Sequence, residues 1–204
     1  MSLTDTQLED LAERMGVPLI FVGFKDELKT RKLRYNKSYI VNLENEYDED
    51  GERNSGSHYT CFQVNKYPNG QLASIYFDSF GQPPPKEVED FIGLKTAYNT
   101  KDIQSLMNSA CGWYCLAFLH FINSSPYRQG HLYHDCATFT DMFDDLAVET
   151  NHLKNEFVLK HFFRSADASK RKPIEVGGMV SRADPSTITS QDDDNFKEVH
   201  DFPI

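Results

Sequence analysis

The sequence predicts one domain that contains both α-helices and β-strands, and three observations lead to that prediction. The chain has 204 residues, which is enough to enclose one hydrophobic core. Two apolar, strand-like segments flank the turn sequence KYPNG and predict a β-hairpin within residues 58–80. The segment CGWYCLAFLHFI, which begins at Cys111, is apolar on every side and therefore predicts a helix buried in the core.

The elements before the hairpin are justified in chain order. Residues 4–16, TDTQLEDLAERMG, carry apolar side chains at helical spacing, with Thr4 or Asp5 as the N-cap and Gly16 as the stop. The segments VPLIFVGF and SYIVNLEN predict two strands. Residues 44–57 between the second strand and the hairpin are acidic, and we interpret them as a solvated loop that can also favour basic substrates.

The elements after the hairpin are mainly helical. PPPKEVEDFIGL begins with a proline run and continues as a helix. Residues 138–163 predict two further helices, whose apolar side chains available for packing are Phe143, Leu146, Leu153, Phe157, Leu159 and Phe162. We therefore expect the domain to occupy residues 1–164. Residues 165–204 are polar and rich in Ser, Asp and Pro, and we expect a C-terminal tail, extended or docked on the domain.

Composition restricts the partners and the compartment. The net charge of −10 argues against a general nucleic-acid binder, because contact with phosphates needs a basic surface. No apolar run is long enough to cross a bilayer, and the polar, acidic start MSLTDTQLED is unlike a secretory signal. The cysteines are too few and too scattered for a disulfide scaffold, so we expect reduced thiols in a protein that is not secreted: Cys61, Cys111, Cys115 and Cys136.

The hairpin is predicted to bring two titratable side chains together. If residues 67–70 form the loop, Lys66 opposes Gln71. His58 and Asp78 then lie within one position of direct opposition, and a bulge or the strand end at Asp78 must bring them onto the same face. A carboxylate beside an imidazole fixes its tautomer and favours its protonated form, so this pair predicts an oriented histidine.

The cysteine at the start of the apolar helix predicts a nucleophile. In the first helical turn, unpaired backbone N–H groups and the helix dipole favour the thiolate of Cys111, and a nearby histidinium favours it further. Gly112 places no side chain in the path to the sulfur. The side-chain amide of Gln104 and the backbone N–H of Cys111 can together form an oxyanion hole. These residues predict a cysteine hydrolase, while a cysteine that only packs in the core is the alternative that they leave open.

Three motifs in this order resemble those of the adenovirus protease and its relatives, the SUMO-type ubiquitin-like proteases. They are GSHYTCF with the histidine, YFDSFG with the aspartate, and QSLMNSACGWYCLAFLHF with the glutamine and Cys-Gly. The third matches the adenoviral form closely, with the same spacing between glutamine and cysteine. YFDSFGQPPPKEVEDFI is closer still to proteases of virophages and of the Polinton, or Maverick, transposons. The resemblance extends over residues 4–124.

The resemblance implies an α+β, papain-like fold in circularly permuted order, with a central mixed sheet and a buried helix that carries the nucleophilic cysteine. It implies that Cys111 is the nucleophile and His58 the general base and later acid. It also implies that Asp78 is the orienting carboxylate and Gln104 the oxyanion donor. The implied function is proteolytic maturation of viral capsid and precursor proteins by cleavage near glycine. The implied location is the virion and the virus factory in the host-cell cytoplasm.

Two departures from the family limit what the resemblance implies. Tyr59 follows the histidine where the family often has Trp, which alters the cover over the imidazole. No cysteine lies between Asp78 and Cys111, where the activating peptide of the adenoviral enzyme would need one, and the chain is acidic. We therefore carry over neither the peptide nor the DNA cofactor of the adenoviral enzyme, and we assign no cofactor. We expect a protein substrate, no membrane partner and a monomer.

Other interpretations remain open at this point. A deubiquitinase or deSUMOylase would use the same four side chains, whereas an inactive scaffold would bind capsid protein without chemistry. The segment HLYHDC offers His131, His134 and Cys136, but it lacks the paired spacing of zinc ligands, so we assign no metal. Cys115 lies one turn after Cys111, and we expect it to pack in the core.

Overall fold

A computed structural model describes residues 2–124, 131–146 and 151–170, with side chains to residue 166. It contains a five-stranded mixed sheet in the order β1-β2-β3-β4-β5, with helices on both faces. In chain order the elements are α1 (Asp5–Met15), β1 (Leu19–Phe24), a 3-10 helix (Lys25–Thr30), β2 (Lys37–Asn42), β3 (Tyr59–Lys66), β4 (Leu72–Phe77), α2 (Lys86–Ile92), β5 (Ala97–Tyr98), α3 (Cys111–Asn123), α4 (Leu132–Thr140) and α5 (Asn151–Lys170). The mixed architecture of sheet and helices agrees with the prediction.

Helix α1 begins and ends where the sequence predicts. The Gln7 backbone N–H donates to Thr4 Oγ1, and the Thr4 backbone N–H donates to Gln7 Oε1, so the first turn is closed by a capping box. Gly16 ends the helix with φ of 71°, the left-handed conformation that glycine adopts without strain. Leu8 and Ala12 are buried, which fixes this helix against the core.

The sheet is antiparallel at its centre and parallel at its edges. β2, β3 and β4 pair antiparallel, whereas β1 pairs with β2 and β5 pairs with β4 in parallel. The four longer strands occupy the predicted segments. The two-residue strand β5 and the 3-10 helix were not predicted, because such short elements carry little hydrophobic periodicity.

The register of the β3–β4 hairpin differs by one position from the prediction. Lys66 pairs with Leu72 rather than with Gln71, and the Tyr67 backbone N–H donates to the Gln71 carbonyl. The loop is therefore residues 68–70, and Gly70 at φ of 82° provides the left-handed position that a three-residue hairpin loop requires. The shift makes the sum of paired residue numbers even, so positions 58 and 78 fall on the same side without a bulge.

Helix α3 is the centre of the larger of two apolar clusters. Every residue from Cys111 to Ile122 is buried, which confirms the prediction of a core helix. This helix packs on β3, where the Cys115 thiol donates to the Tyr59 carbonyl at 3.4 Å. The smaller cluster on the opposite face includes Phe62 of β3 and Val88 of α2. The packing of α3 on β3 brings the first turn of the helix to the start of that strand.

The two C-terminal helices depart in part from the prediction. Helix α4 begins at Leu132, earlier than expected, and α5 runs past the predicted domain boundary to Lys170. Phe143, Leu159 and Phe162 are buried as expected, whereas Leu153 is 62% exposed and Phe157 is 68% exposed. Leu153 and Phe157 lie one turn apart and therefore share a face of α5. That face is exposed because the opposite one packs on α3.

Residues 171–204, which make up most of the predicted tail, lie outside the described residues. Within the described ranges, no helix has both the length and the apolar character needed to span a bilayer.

Candidate active site

His58 and Asp78 are in direct contact at the end of the hairpin. His58 lies immediately before β3, and Asp78 lies immediately after β4. The Nε2 atom of His58 is 2.7 Å from Oδ1 of Asp78, whose side chain is 1% exposed. The same carboxylate oxygen accepts the Phe80 backbone N–H at 2.8 Å. The ring of Phe80 stacks on the imidazole, with centroids 4.5 Å apart, so His58 is held on its edge and on one face.

Cys111 occupies the first position of α3, as predicted. The preceding Ala110 offers no side-chain cap to the helix, so the free N–H groups of the first turn remain a source of positive potential. The residue is 4% exposed, and its sulfur accepts a hydrogen bond from the Tyr59 backbone N–H. His58 is a further hydrogen-bond partner of this sulfur.

The pKa values of these two groups move in opposite directions. Burial opposes ionisation of the Cys111 thiol, but the hydrogen bonds from His58 and from the Tyr59 N–H outweigh it and lower the pKa of Cys111. Burial also opposes protonation of His58, but its hydrogen bonds to Asp78 and Cys111 raise its pKa to about 9. Both shifts act in the direction of a thiolate beside an imidazolium.

Gln104 is fixed just ahead of α3. It is 2% exposed, and its Oε1 accepts the Ser79 hydroxyl at 2.8 Å. Its Nε2 donates to the Asn108 carbonyl at 3.1 Å, and Oδ1 of Asn108 accepts the Ala110 N–H at 3.3 Å. An amide nitrogen carries two protons, and the bond to Asn108 uses one of them. Gln104 is thus connected through Asn108 to the turn that carries Cys111.

Three residues that support the site were not singled out from the sequence. Ser79 and Phe80 lie inside the quoted motif YFDSFG, but the motif does not reveal that one side chain bonds Gln104 and the other stacks on His58. Asn99 accepts the Asp78 backbone N–H at 3.0 Å and donates to the Asp78 carbonyl at 2.6 Å. Nothing in the sequence indicates this last contact, because it joins two distant segments through the short strand β5.

Gly112 and Tyr59 hold the N-terminal segment beside the site. A Cβ on Gly112 would lie 3.2 Å from Leu8 and 3.5 Å from Leu3, so this glycine permits close packing of that segment. The Tyr59 hydroxyl donates to Asp5 at 2.6 Å. The aromatic ring stacked on His58 is that of Phe80.

The remaining cysteines and histidines form no second centre in the described part of the chain. All four cysteines are free and buried, and Cys115 is fully buried as expected. His134 contacts Thr138 one turn along α4. Among the described residues, no group of three or more His, Cys, Asp or Glu side chains is arranged to hold a metal ion.

Comparisons with known proteins find distant matches among solved structures. No protein-family model and no curated protein matches the sequence. One similar solved structure is HopZ1a in complex with IP6, with a TM-score of 0.39 and 12% identity over 75% of this chain. Another is the Xanthomonas campestris effector XopD bound to ubiquitin, with a TM-score of 0.35 and 15% identity over 78% of this chain. The match covers 47% of HopZ1a, about half its length, and 90% of XopD.

At these identities and TM-scores, no activity of either neighbour carries over to this chain.

Proposed function

We propose that the chain is a cysteine protease with a papain-like site in circularly permuted order, in which Cys111 attacks a peptide carbonyl. One observation carries the proposal. The imidazole of His58 bridges a buried carboxylate and the thiol at a helix N-terminus, and the pKa of the thiol is lowered while that of the imidazole is raised to about 9. A cysteine that only packs in the core needs neither shift.

Acylation follows from this arrangement. The Cys111 thiolate adds to the carbonyl carbon, and the negative charge moves to the carbonyl oxygen. The Cys111 backbone N–H and the Gln104 side-chain amide supply donors for that oxygen. His58 then gives its proton to the leaving nitrogen, so the C–N bond breaks and a thioester remains on the sulfur. The amine product leaves, and His58 is neutral.

In deacylation, His58 accepts a proton instead of donating one. Neutral His58 takes a proton from water, and the resulting hydroxide adds to the thioester carbonyl. Collapse of the second tetrahedral intermediate expels the Cys111 thiolate and releases the carboxylic acid product. Asp78 keeps the imidazole ring aligned and stabilises its positive charge in both half-reactions.

For the substrate, we propose viral capsid or other precursor proteins, cut near glycine during virion maturation. The support is the motif resemblance over residues 4–124, and particularly the match of YFDSFGQPPPKEVEDFI to proteases of virophages and Polintons. The corresponding place of action is the assembling virion and the virus factory in the host-cell cytoplasm.

The experiment that tests the proposal uses the full chain and three substrate sets. A mixed peptide library rich in Gly-Gly sequences reports endopeptidase cleavage by mass spectrometry, and ubiquitin and SUMO conjugates report isopeptidase activity. We expect cleavage of the library after glycine and loss of all cleavage in Cys111→Ala. Cys115→Ala is the matched control, because it removes a thiol one turn along the same helix.

The outcomes separate the candidate functions. Cleavage confined to ubiquitin or SUMO conjugates would replace the maturation role with that of an isopeptidase that uses the same four residues. No cleavage of any substrate, together with no labelling of Cys111 by a thiol-directed electrophile, would leave an inactive scaffold.

A further inference from the structure

We propose that Ser79 is a positioning residue that sets the orientation of the Gln104 amide for oxyanion binding. This inference rests on the proposed protease function and goes beyond it, because it assigns a role to a side chain that does not itself meet the substrate. The supporting observation is that Ser79 forms hydrogen bonds with both the backbone and the side chain of Gln104.

Ser79 makes three hydrogen bonds to residues 103 and 104. Its backbone carbonyl accepts the N–H of Ile103 at 2.9 Å and that of Gln104 at 3.2 Å. Its hydroxyl donates to Oε1 of Gln104 at 2.8 Å. Ser79 is fully buried, so water does not compete for these contacts. Backbone and side chain of Gln104 are therefore both fixed to Ser79.

The orientation of this amide decides whether it can assist the reaction. A glutamine amide presents a donor at one end and an acceptor at the other. With Oε1 held by the Ser79 hydroxyl, Nε2 is the end left for the Asn108 carbonyl and for the oxyanion. A reversed amide would direct its oxygen at a negatively charged oxygen and would oppose the transition state.

The position of Ser79 connects the two halves of the site. Asp78 bonds His58, and Ser79, the next residue, bonds Gln104. The turn that holds this pair is closed by the Gly81 N–H, which donates to the Asp78 carbonyl at 2.9 Å. Gly81 has φ of 69°, and a Cβ there would lie 2.7 Å from the Thr100 carbonyl, so this tight turn requires glycine. One turn thus orients both the acid–base pair and the oxyanion donor.

The test removes the hydroxyl alone. In Ser79→Ala the backbone contacts persist, and we expect kcat for a peptide substrate of the wild-type chain to fall about tenfold with little change in KM. The pH dependence of Cys111 alkylation should remain that of the wild type, because His58 and Asp78 are untouched. Ser74→Ala is the matched control, because it removes a buried hydroxyl of β4 that bonds Thr96 and not Gln104.

A double-mutant cycle distinguishes positioning from a general structural role. If Ser79 acts through Gln104, Ser79→Ala should have almost no further effect on kcat in a Gln104→Ala background. If it lowers kcat equally in both backgrounds, Ser79 does not act through the amide and the inference is wrong. The inference is also wrong if the wild-type chain cleaves peptides and Ser79→Ala has the same kcat. An inactive wild-type chain would instead refute the proposed function.

A second pair of variants removes the dependence on the stability of Ser79→Ala. Ser79→Thr and Ser79→Val have the same shape and the same added bulk, and only the former keeps the hydroxyl. We expect kcat of the Thr variant to exceed that of the Val variant about tenfold. Equal rates would contradict the role of the hydroxyl.

Discussion

Two thiols one turn apart on α3 have opposite electrostatic environments. Cys111 and Cys115 both contact the backbone of Tyr59, but Cys111 accepts its N–H whereas Cys115 donates to its carbonyl at 3.4 Å. The pKa of Cys111 is lowered, while burial, together with the neighbouring Cys61, raises that of Cys115. The two residues are almost equally buried, at 4% and 0% exposure.

The comparison shows that burial alone does not decide the reactivity of a cysteine. Burial disfavours the thiolate at both positions. At Cys111 it is outweighed by an imidazolium, a backbone donor and the free N–H groups at the helix N-terminus. Cys115 lies within the helix beyond the reach of that terminal dipole, and its partners are a carbonyl and another thiol. The fold therefore favours ionisation of one thiol and disfavours that of another four positions along the same helix.

The largest predicted contrast comes from removing each thiol in turn. Cys111→Ala should lower peptide cleavage about 10⁴-fold, because no other group can form the thioester. Cys115→Ala should keep activity near the wild-type level and lower the free energy of unfolding by about 1–2 kcal/mol through the lost packing. Activity assays and chemical denaturation of both variants measure the contrast. Equal activities in the two variants would contradict the predicted difference between the two thiols.

Removing the His58 imidazole should reduce the difference in reactivity between Cys111 and Cys115. In His58→Ala we expect kcat/KM to fall about 10³-fold, since both the acid–base group and the charge that lowers the thiol pKa are lost. Alkylation of Cys111 should then begin only at alkaline pH, as for an ordinary thiol. Persistent alkylation at neutral pH would show that the helix terminus and the Tyr59 N–H ionise the sulfur without the imidazole.

Removing the Asp78 carboxylate should lower activity less than removing the His58 imidazole does. In Asp78→Asn the charge that helps to raise the pKa of His58 to about 9 is absent, so that pKa should fall. Activity requires thiolate and imidazolium together: kcat/KM rises with pH through the lowered pKa of Cys111 and falls through the pKa of His58. We expect the alkaline limb, near pH 9 in the wild type, to move to lower pH and the maximum rate to drop about 100-fold. An unmoved alkaline limb would contradict the role of Asp78.

The smallest predicted effect comes from the side chain of Tyr59, whose backbone contacts both thiols. Tyr59→Phe removes the hydroxyl that donates to Asp5 at 2.6 Å but leaves the backbone contacts in place. We expect a loss of about 1 kcal/mol in the free energy of unfolding and little change in Cys111 alkylation. A large fall in alkylation rate would show that the site depends on the docking of α1.

The local elements of the fold could be predicted from the sequence better than the contacts at the candidate site. The apolar helix, the hairpin and the nearness of His58 to Asp78 could be predicted, because hydrophobic periodicity and turn signals are local properties. The hairpin register was predicted one position off, because the choice between a four-residue and a three-residue loop depends on backbone conformation at Gly70.

Contacts between distant segments could not be predicted. Asn99 holds Asp78 across strands, and Leu153 and Phe157 face solvent because α5 uses its other side against α3. A single sequence carries no information on which face of a weakly amphipathic helix will pack, or on which buried asparagine will meet a distant backbone group.

The central claim is that Cys111 exists as a thiolate paired with the imidazolium of His58, and one measurement tests it most directly. Native protein is treated with iodoacetamide across a pH series, and the modification rate of each cysteine is followed by peptide mass spectrometry. The account predicts labelling of Cys111 at a lower pH than for an ordinary thiol, with a plateau above its lowered pKa, while Cys115 stays unlabelled until the protein unfolds. A Cys111 rate that climbs about tenfold per pH unit up to alkaline pH, as for an unperturbed thiol, would contradict it.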